Sequence, residues 1–263
     1  MKRLLIENLY HKYGIVEVLN NISLEVRSGE TVALVGPSGC GKSTLLHLIA
    51  DLLTCSEGRI EQPFERVACM FQSPRLLPWQ NARDNIALGL KARGMGRQQR
   101  QQQALELGLQ LGLTADDLVK YPHELSGGMQ SRVALARALI VEPDLMLLDE
   151  PFSALDIGLK LELYQLLRQH VEQKRTTVIM ITHDLMEAVR LADRILVMAP
   201  EPGRILTQYP VAHPHAQRDD AWIYQTSAAL LQEPLVRLGF ELDGARPDDP
   251  ELPPPVAHGG CAP

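Results

Sequence analysis

The chain has 263 residues, 45% of them hydrophobic and 22% charged, with a formal net charge of −6, enough for one large or two small domains around a real core. The acidic balance speaks against a general nucleic-acid surface, which would carry a positive footprint, and no apolar run approaches the ~20 residues that cross a bilayer. Glu7 comes too early for a secretory signal, so a cytoplasmic protein is expected; Cys40, Cys55, Cys69 and Cys261 show no C-x-x-C spacing and read as reduced and structural.

In chain order, β-like runs at residues 4–6, 22–26 and 31–35 predict strands, and Tyr13 lies between the first two. The third run feeds Gly36-Pro37-Ser38-Gly39-Cys40-Gly41-Lys42-Ser43-Thr44, which meets G-x-x-x-x-G-K-[ST] at every position, and the amphipathic Leu45, Leu46, Leu48 and Ile49 come next. Strand, glycine loop and helix in this order bind a nucleoside triphosphate. The loop turns its N–H groups toward the phosphates, Lys42 reaches the outer ones, Ser43 offers a hydroxyl to Mg2+, and the helix adds its positive end.

A further strand is expected at 67–71, leading into Gln72 and the proline-stiffened Ser73-Pro74-Arg75-Leu76-Leu77-Pro78-Trp79. On physical grounds Leu76, Leu77 and Trp79 either form a docking surface or fill the core of the helical insertion they introduce. Helical patterns then occupy 85–140. Within them Lys91, Arg93, Arg97 and Arg100 form either a patch facing lipid headgroups or a solvated helix face, and the glutamines of 98–103 read as a polar helix face. At Leu125-Ser126-Gly127-Gly128-Met129-Gln130, Ser126 is a candidate N-cap and the two glycines leave the helix entrance open to an anion. Since Lys42 already serves one triphosphate, this second anion site would serve a nucleotide held by another copy, although Ser-Gly-Gly is commonly no more than a cap.

Runs at 145–148, 177–181 and 195–198 are continuously apolar, as central parallel strands are, with helical patterns at 154–173 and 185–191 between them. The first ends in Asp149-Glu150-Pro151, where Asp149 would meet Mg2+ and Glu150 would act as general base on the attacking water. His183 comes just after the second; alone it is as readily a structural residue as a phosphate ligand. Pro200, Pro202 and Gly203 mark a turn between late strands, 219–238 is helical and broken by Pro234, and 241–263 is a Pro-rich tail expected to be disordered. The fold class read from this is α/β: a P-loop NTPase core with a mainly parallel sheet, an antiparallel β subdomain and an inserted α-helical subdomain at about 76–141, all within a domain of residues 1–240.

From residue 4 to 198 these motifs, in their order, resemble the nucleotide-binding subunit of an ATP-binding cassette transporter, and Leu125-Ser126-Gly127-Gly128-Met129-Gln130 is their most diagnostic element. The resemblance implies ATP hydrolysis with Mg2+, Tyr13 stacked on adenine, Gln72 in the lid that reaches Mg2+ and the membrane partner, and His183 at the γ-phosphate. It implies that Ser153-Ala154-Leu155-Asp156 links two ATP sites in a head-to-tail homodimer. Partners implied are transmembrane permease subunits and a periplasmic solute-binding protein, with the chain peripheral on the inner face of the inner membrane. The Phe71-Gln72 to Trp79 spacing is similar to the nitrate, sulfonate and taurine importer group; the alternative is a soluble cassette ATPase of iron-sulfur assembly or repair. Two departures stand out: a shortened 58–72, which puts the antiparallel sheet in doubt, and Ser131 where Gln or Arg is frequent. Too little chain lies beyond Met198 for an added β-barrel sensor.

Overall fold

The computed structural model describes residues 2–242, so Cys261 and the tail from residue 243 lie outside the described residues. Two compact units divide them: residues 2–27, 31–63 and 181–242 form the first, and 28–30 and 64–180 the second.

The first unit opens with β1 (Arg3–Tyr13), β2 (Val16–Arg27) and β3 (Thr31–Val35), then α1 (Lys42–Ile49) and β4 (Glu57–Glu61). β1 and β2 run far beyond the apolar stretches because one face meets solvent; Leu4, Ile6, Leu9 and His11 point inward between exposed or half-buried neighbours. β2, β1 and β4 form an antiparallel sheet in that order. The doubt cast on this sheet by the shortened 58–72 is therefore corrected: β4 is a five-residue edge strand that pairs with β1 through its backbone and needs no long connector. It also explains why the sequence pattern hid it, since three of its residues are exposed and none is fully buried.

The second unit holds β5 (Val67–Met70), helices α2 (Ala82–Ile86), α3 (Leu88–Ala92), α4 (Arg97–Gln110), α5 (Ala115–Leu118) and α6 (Gly127–Leu139), then β6 (Leu145–Asp149) and α7 (Ile157–Lys174). β7 (Thr177–Ile181) closes it. β5, β6 and β7 stand side by side in that order, with β5 parallel to β6. β6 and β7 are buried at every residue, which is why their sequences show no alternation. Ser131 is buried on α6.

The first unit resumes with α8 (Leu185–Leu191), β8 (Arg194–Ala199), β9 (Arg204–Pro210), α9 (Asp220–Leu230) and α10 (Pro234–Gly239). β3 pairs in parallel with β8, and β9 returns antiparallel on its other side. Pro234 does not break one helix but begins the next, at a position whose missing N–H costs nothing. α9 packs on α8 and α10 on β8 and β9. Buried Arg218 fastens this segment: its guanidinium donates to the carbonyls of Val189 and Ala192 at the end of α8 and to those of His213 and Val211. That satisfies helix carbonyls that lack an internal partner.

Candidate functional site

Between β3 and α1 the chain turns through the glycine loop. Gly36 has φ +151 and a side chain there would stand 2.5 Å from the carbonyl oxygen of Met198 on β8. Gly41 has φ +86, and its missing Cβ makes room for Leu19 of β2, whose Cδ2 would be 2.6 Å away. Any larger residue at either place would push the loop off the strands that hold it. Lys42, the first residue of α1, is 8% exposed, and its Nζ donates to the carbonyls of Gly36 (2.8 Å) and Pro37 (2.7 Å) and to Cys40 Sγ (3.4 Å). Among the described residues no carboxylate pairs with it. A buried ammonium held only by neutral dipoles, at a helix N-terminus, is a strong attractor for an external anion. Cys40 is a free thiol that burial holds above its ordinary pKa, against the opposing pull of Lys42. Ser43 and Thr44 are half-buried, and Ser38 and Gly39 exposed.

Gly203, which sequence reasoning placed only in a turn, belongs to this loop. It donates to the Val18 carbonyl and accepts from Asn20 N–H, each at 2.9 Å, and a Cβ on it would lie 2.2 Å from the Cys40 carbonyl oxygen. The loop is thus braced by β2, β8 and the β8–β9 turn. Tyr13, at the end of β1, is 50% exposed and so is not a core aromatic; His11 meets its ring edge-on at a centroid distance of 4.9 Å.

His183 is exposed on a corner built by its neighbours. Thr182 N–H donates to the Leu34 carbonyl, and the Thr182 hydroxyl donates to Glu187 while accepting from Asp184 N–H. Asp184 caps α8 by accepting from Met186 and Glu187 N–H groups.

In the second unit, Asp149 is the buried last residue of β6, and Glu150 comes next with φ +46. A left-handed glutamate before proline costs roughly 1–3 kcal/mol and is kept where a side chain must be aimed. Gln72 Nε2 donates to Glu150 Oε2 at 3.2 Å. An ionised carboxylate only accepts, so the amide presents its nitrogen to Glu150 and leaves its oxygen available.

Ser126 caps α6 by accepting from Met129 N–H at 3.3 Å. A Cβ on Gly127 would meet nothing within 4 Å, whereas one on Gly128 would stand 3.2 Å from the Ala154 carbonyl oxygen and 3.3 Å from Leu155 Cδ2. A side chain at Gly128 would thus crowd the Ser153–Asp156 loop of the same unit, and Ser153 Oγ donates to the Glu150 carbonyl at 3.0 Å. Gln130 secures the approach by donating to the Pro122 and Leu125 carbonyls.

After Gln72, buried Asn85 pins the chain, accepting from Leu77 N–H (2.7 Å) and donating to the carbonyls of Leu77, Gln80 and Asn81. Trp79 is 70% exposed while Leu76 and Leu77 are half-buried, so the segment both fills its own unit and presents an aromatic outward. Arg93 is exposed; Lys91, Arg97 and Arg100 line a cavity of about 240 Å³ with Gln80, Asp84 and Ala87. No helix among the described residues is long and apolar enough to cross a membrane.

The family model described as ABC transporter matches residues 19–153. The chain is 45% identical over 227 residues to an aliphatic sulfonates import ATP-binding protein, SsuB 2, of Burkholderia cenocepacia, covering 83% of this chain and 82% of the relative. It is 41% identical to the taurine import ATP-binding protein TauB of Escherichia coli O157:H7 (78% and 83% covered), and 39% identical to SsuB of Albidiferax ferrireducens (97% and 93%). Among solved structures, a dimeric post-hydrolysis state of the ATP-binding cassette MJ0796 bound to ADP and Pi is similar at a TM-score of 0.75 and 29% identity, covering 80% of this chain and 100% of that one.

Proposed function

Since the chain belongs to the ABC transporter family and is an ATPase, we propose that it drives an importer of a small sulfonate such as taurine, as an ATP-powered dimer on the inner face of the inner membrane. Buried Lys42 is the observation that carries the nucleotide reading: its charge has only loop carbonyls and a thiol as partners, and the γ- and β-phosphates supply what it lacks. Residues 1–240 act as one ATPase domain in this reading. The SsuB and TauB relatives are import ATP-binding proteins, which favours a permease partner over a soluble role in iron-sulfur assembly or repair.

ATP is held by Tyr13 on the adenine face and by the N–H groups of Gly36 and of Ser38 to Thr44 on the phosphates, with Lys42 as the charge partner. Ser43, Asp149 and the oxygen of Gln72 are hard oxygen donors that would hold Mg2+, which neutralises phosphate charge when bound. Glu150 orients and deprotonates the attacking water; its left-handed backbone and the Gln72 hydrogen bond aim the carboxylate. His183 contacts the γ-phosphate. Ser126, Gly127 and Gly128 of a second copy contribute the opposite wall, so that hydrolysis removes contacts to both copies and lets them part.

Trp79 and its flanking segment receive a cytoplasmic segment of the permease, and a periplasmic solute-binding protein delivers the solute. The importer reading is tested by deleting the gene and measuring uptake of labelled taurine, an alkanesulfonate and nitrate. Loss of uptake of a sulfonate is expected; unchanged uptake of all three would overturn the substrate class.

A further inference from the structure

Gln72 lies outside any helix or strand, on the connection that follows β5, and its side chain meets Glu150 at hydrogen-bond distance. Strand β5 fixes its N-terminal side and ends at Met70. On its C-terminal side, Arg75 takes a left-handed backbone (φ +44) and lays its guanidinium over the Phe71 ring at 4.6 Å, which brings the two ends of the bend 71–75 together. What anchors that turn comes from helix α6. Arg137, ten residues beyond Gly127, donates through its two terminal nitrogens to the carbonyls of Pro74 (2.7 Å) and Arg75 (3.0 Å).

The chemistry of Arg137 is unusual for a half-buried cation. Burial pulls its pKa below the ordinary guanidinium value, and among the described residues no carboxylate balances it; both hydrogen bonds go to backbone oxygens. A forked, planar donor is suited to hold two successive carbonyls in one orientation, which a single ammonium is not. Replacing it would leave those carbonyls and the turn they belong to without their tie.

We propose that Arg137 is a positioning residue for hydrolysis: it straps the turn after Gln72 to the helix that begins with Ser126-Gly127-Gly128, and so holds Gln72 where it aims Glu150. The inference rests on the assignment of Glu150 as general base. It assigns α6 a second task besides presenting its N-terminus, that of anchoring the Gln72 turn through Arg137.

The test is steady-state ATP hydrolysis by the full chain with Arg137→Met, Gln72→Ala, the double variant and Glu150→Gln, alongside binding of a fluorescent ATP analogue. Arg137→Met is expected to lower kcat about tenfold with KM and nucleotide affinity within about twofold, since the loss is one of alignment. Gln72→Ala is expected to lower it by a similar factor, and the double variant by no more than Gln72→Ala alone, because the two act through one path. Should Arg137→Met not fold, the same cycle is run with Arg137→Lys, which keeps the charge and loses the fork; a loss of about threefold that disappears in the Gln72→Ala background is expected. Multiplying losses in the double variant, or an unchanged kcat in Arg137→Met, would overturn the strap. If Glu150→Gln turned over at the parent rate the base assignment itself would fail, whereas an inactive Glu150→Gln with multiplying losses would sink only the strap.

Discussion

Replacing Gly203 by alanine should damage nucleotide binding although residue 203 lies far along the chain from every recognisable motif. The added methyl would stand 2.2 Å from the Cys40 carbonyl oxygen and 2.8 Å from that of Val18, where ordinary contact begins at 3.4 Å, so relief needs a shift of about 1.2 Å against Cys40. Retreat of Gly203 is opposed by its two 2.9 Å hydrogen bonds to β2, both of which would break. The glycine loop is the part that yields, and Lys42 is two residues beyond Cys40. Overpacking of this kind costs about 1–3 kcal/mol, which if expressed in binding is roughly a five- to hundredfold weaker affinity. Titration with a fluorescent ATP analogue measures it, with thermal melting to separate global loss. Gly96→Ala serves as control, since nothing lies within 4 Å of its Cβ position. Parent-like affinity and melting in Gly203→Ala would refute the bracing of the loop by the β8–β9 turn.

The site carries three further expected outcomes. Lys42→Ala should abolish measurable ATP binding while leaving the fold intact, because it removes a buried charge that has no carboxylate partner among the described residues; unchanged affinity in the same titration would contradict the cradle. Glu150→Gln should retain ATP binding, accumulate as a nucleotide-bound dimer and lose turnover by about a hundredfold or more, the scale of a general base; phosphate release at the parent rate is the contrary result. Trp79→Glu, at a side chain 70% exposed, should leave nucleotide affinity unchanged and abolish co-purification with the permease, and normal co-purification would remove the docking role.

What the sequence made legible was what is local. The glycine loop, the Asp149-Glu150 strand end and the Ser126 cap are each written in fewer than ten consecutive residues, and α8 and β7 fall where the apolar runs place them. β6 extends one residue further, to include Asp149. Longer-range support was not legible. Gly203 against Cys40, Arg137 against Pro74 and Arg75, and Leu19 behind Gly41 depend on tertiary approach, and nothing in their immediate neighbours signals it. β4 escaped notice, and β9 was legible only as a strand beyond the turn at Gly203, for a different reason: their side chains are exposed or half-buried, so they are held by backbone pairing rather than by an apolar pattern. The helices at 220–239 could be read, yet their place against α8, β8 and β9 is set by Arg218, a single residue outside either helix.

That two copies share each nucleotide is tested most directly by sedimentation of Glu150→Gln with ATP and Mg2+, with and without Gly127→Glu. The added side chain meets open space within its own protomer and sits favourably at a helix N-terminus, so the fold and ATP binding by each protomer should persist. It would nevertheless oppose a triphosphate brought by another copy. Dimers in Glu150→Gln that become nucleotide-bound monomers in the double variant are expected; dimers that persist unchanged would contradict the shared site.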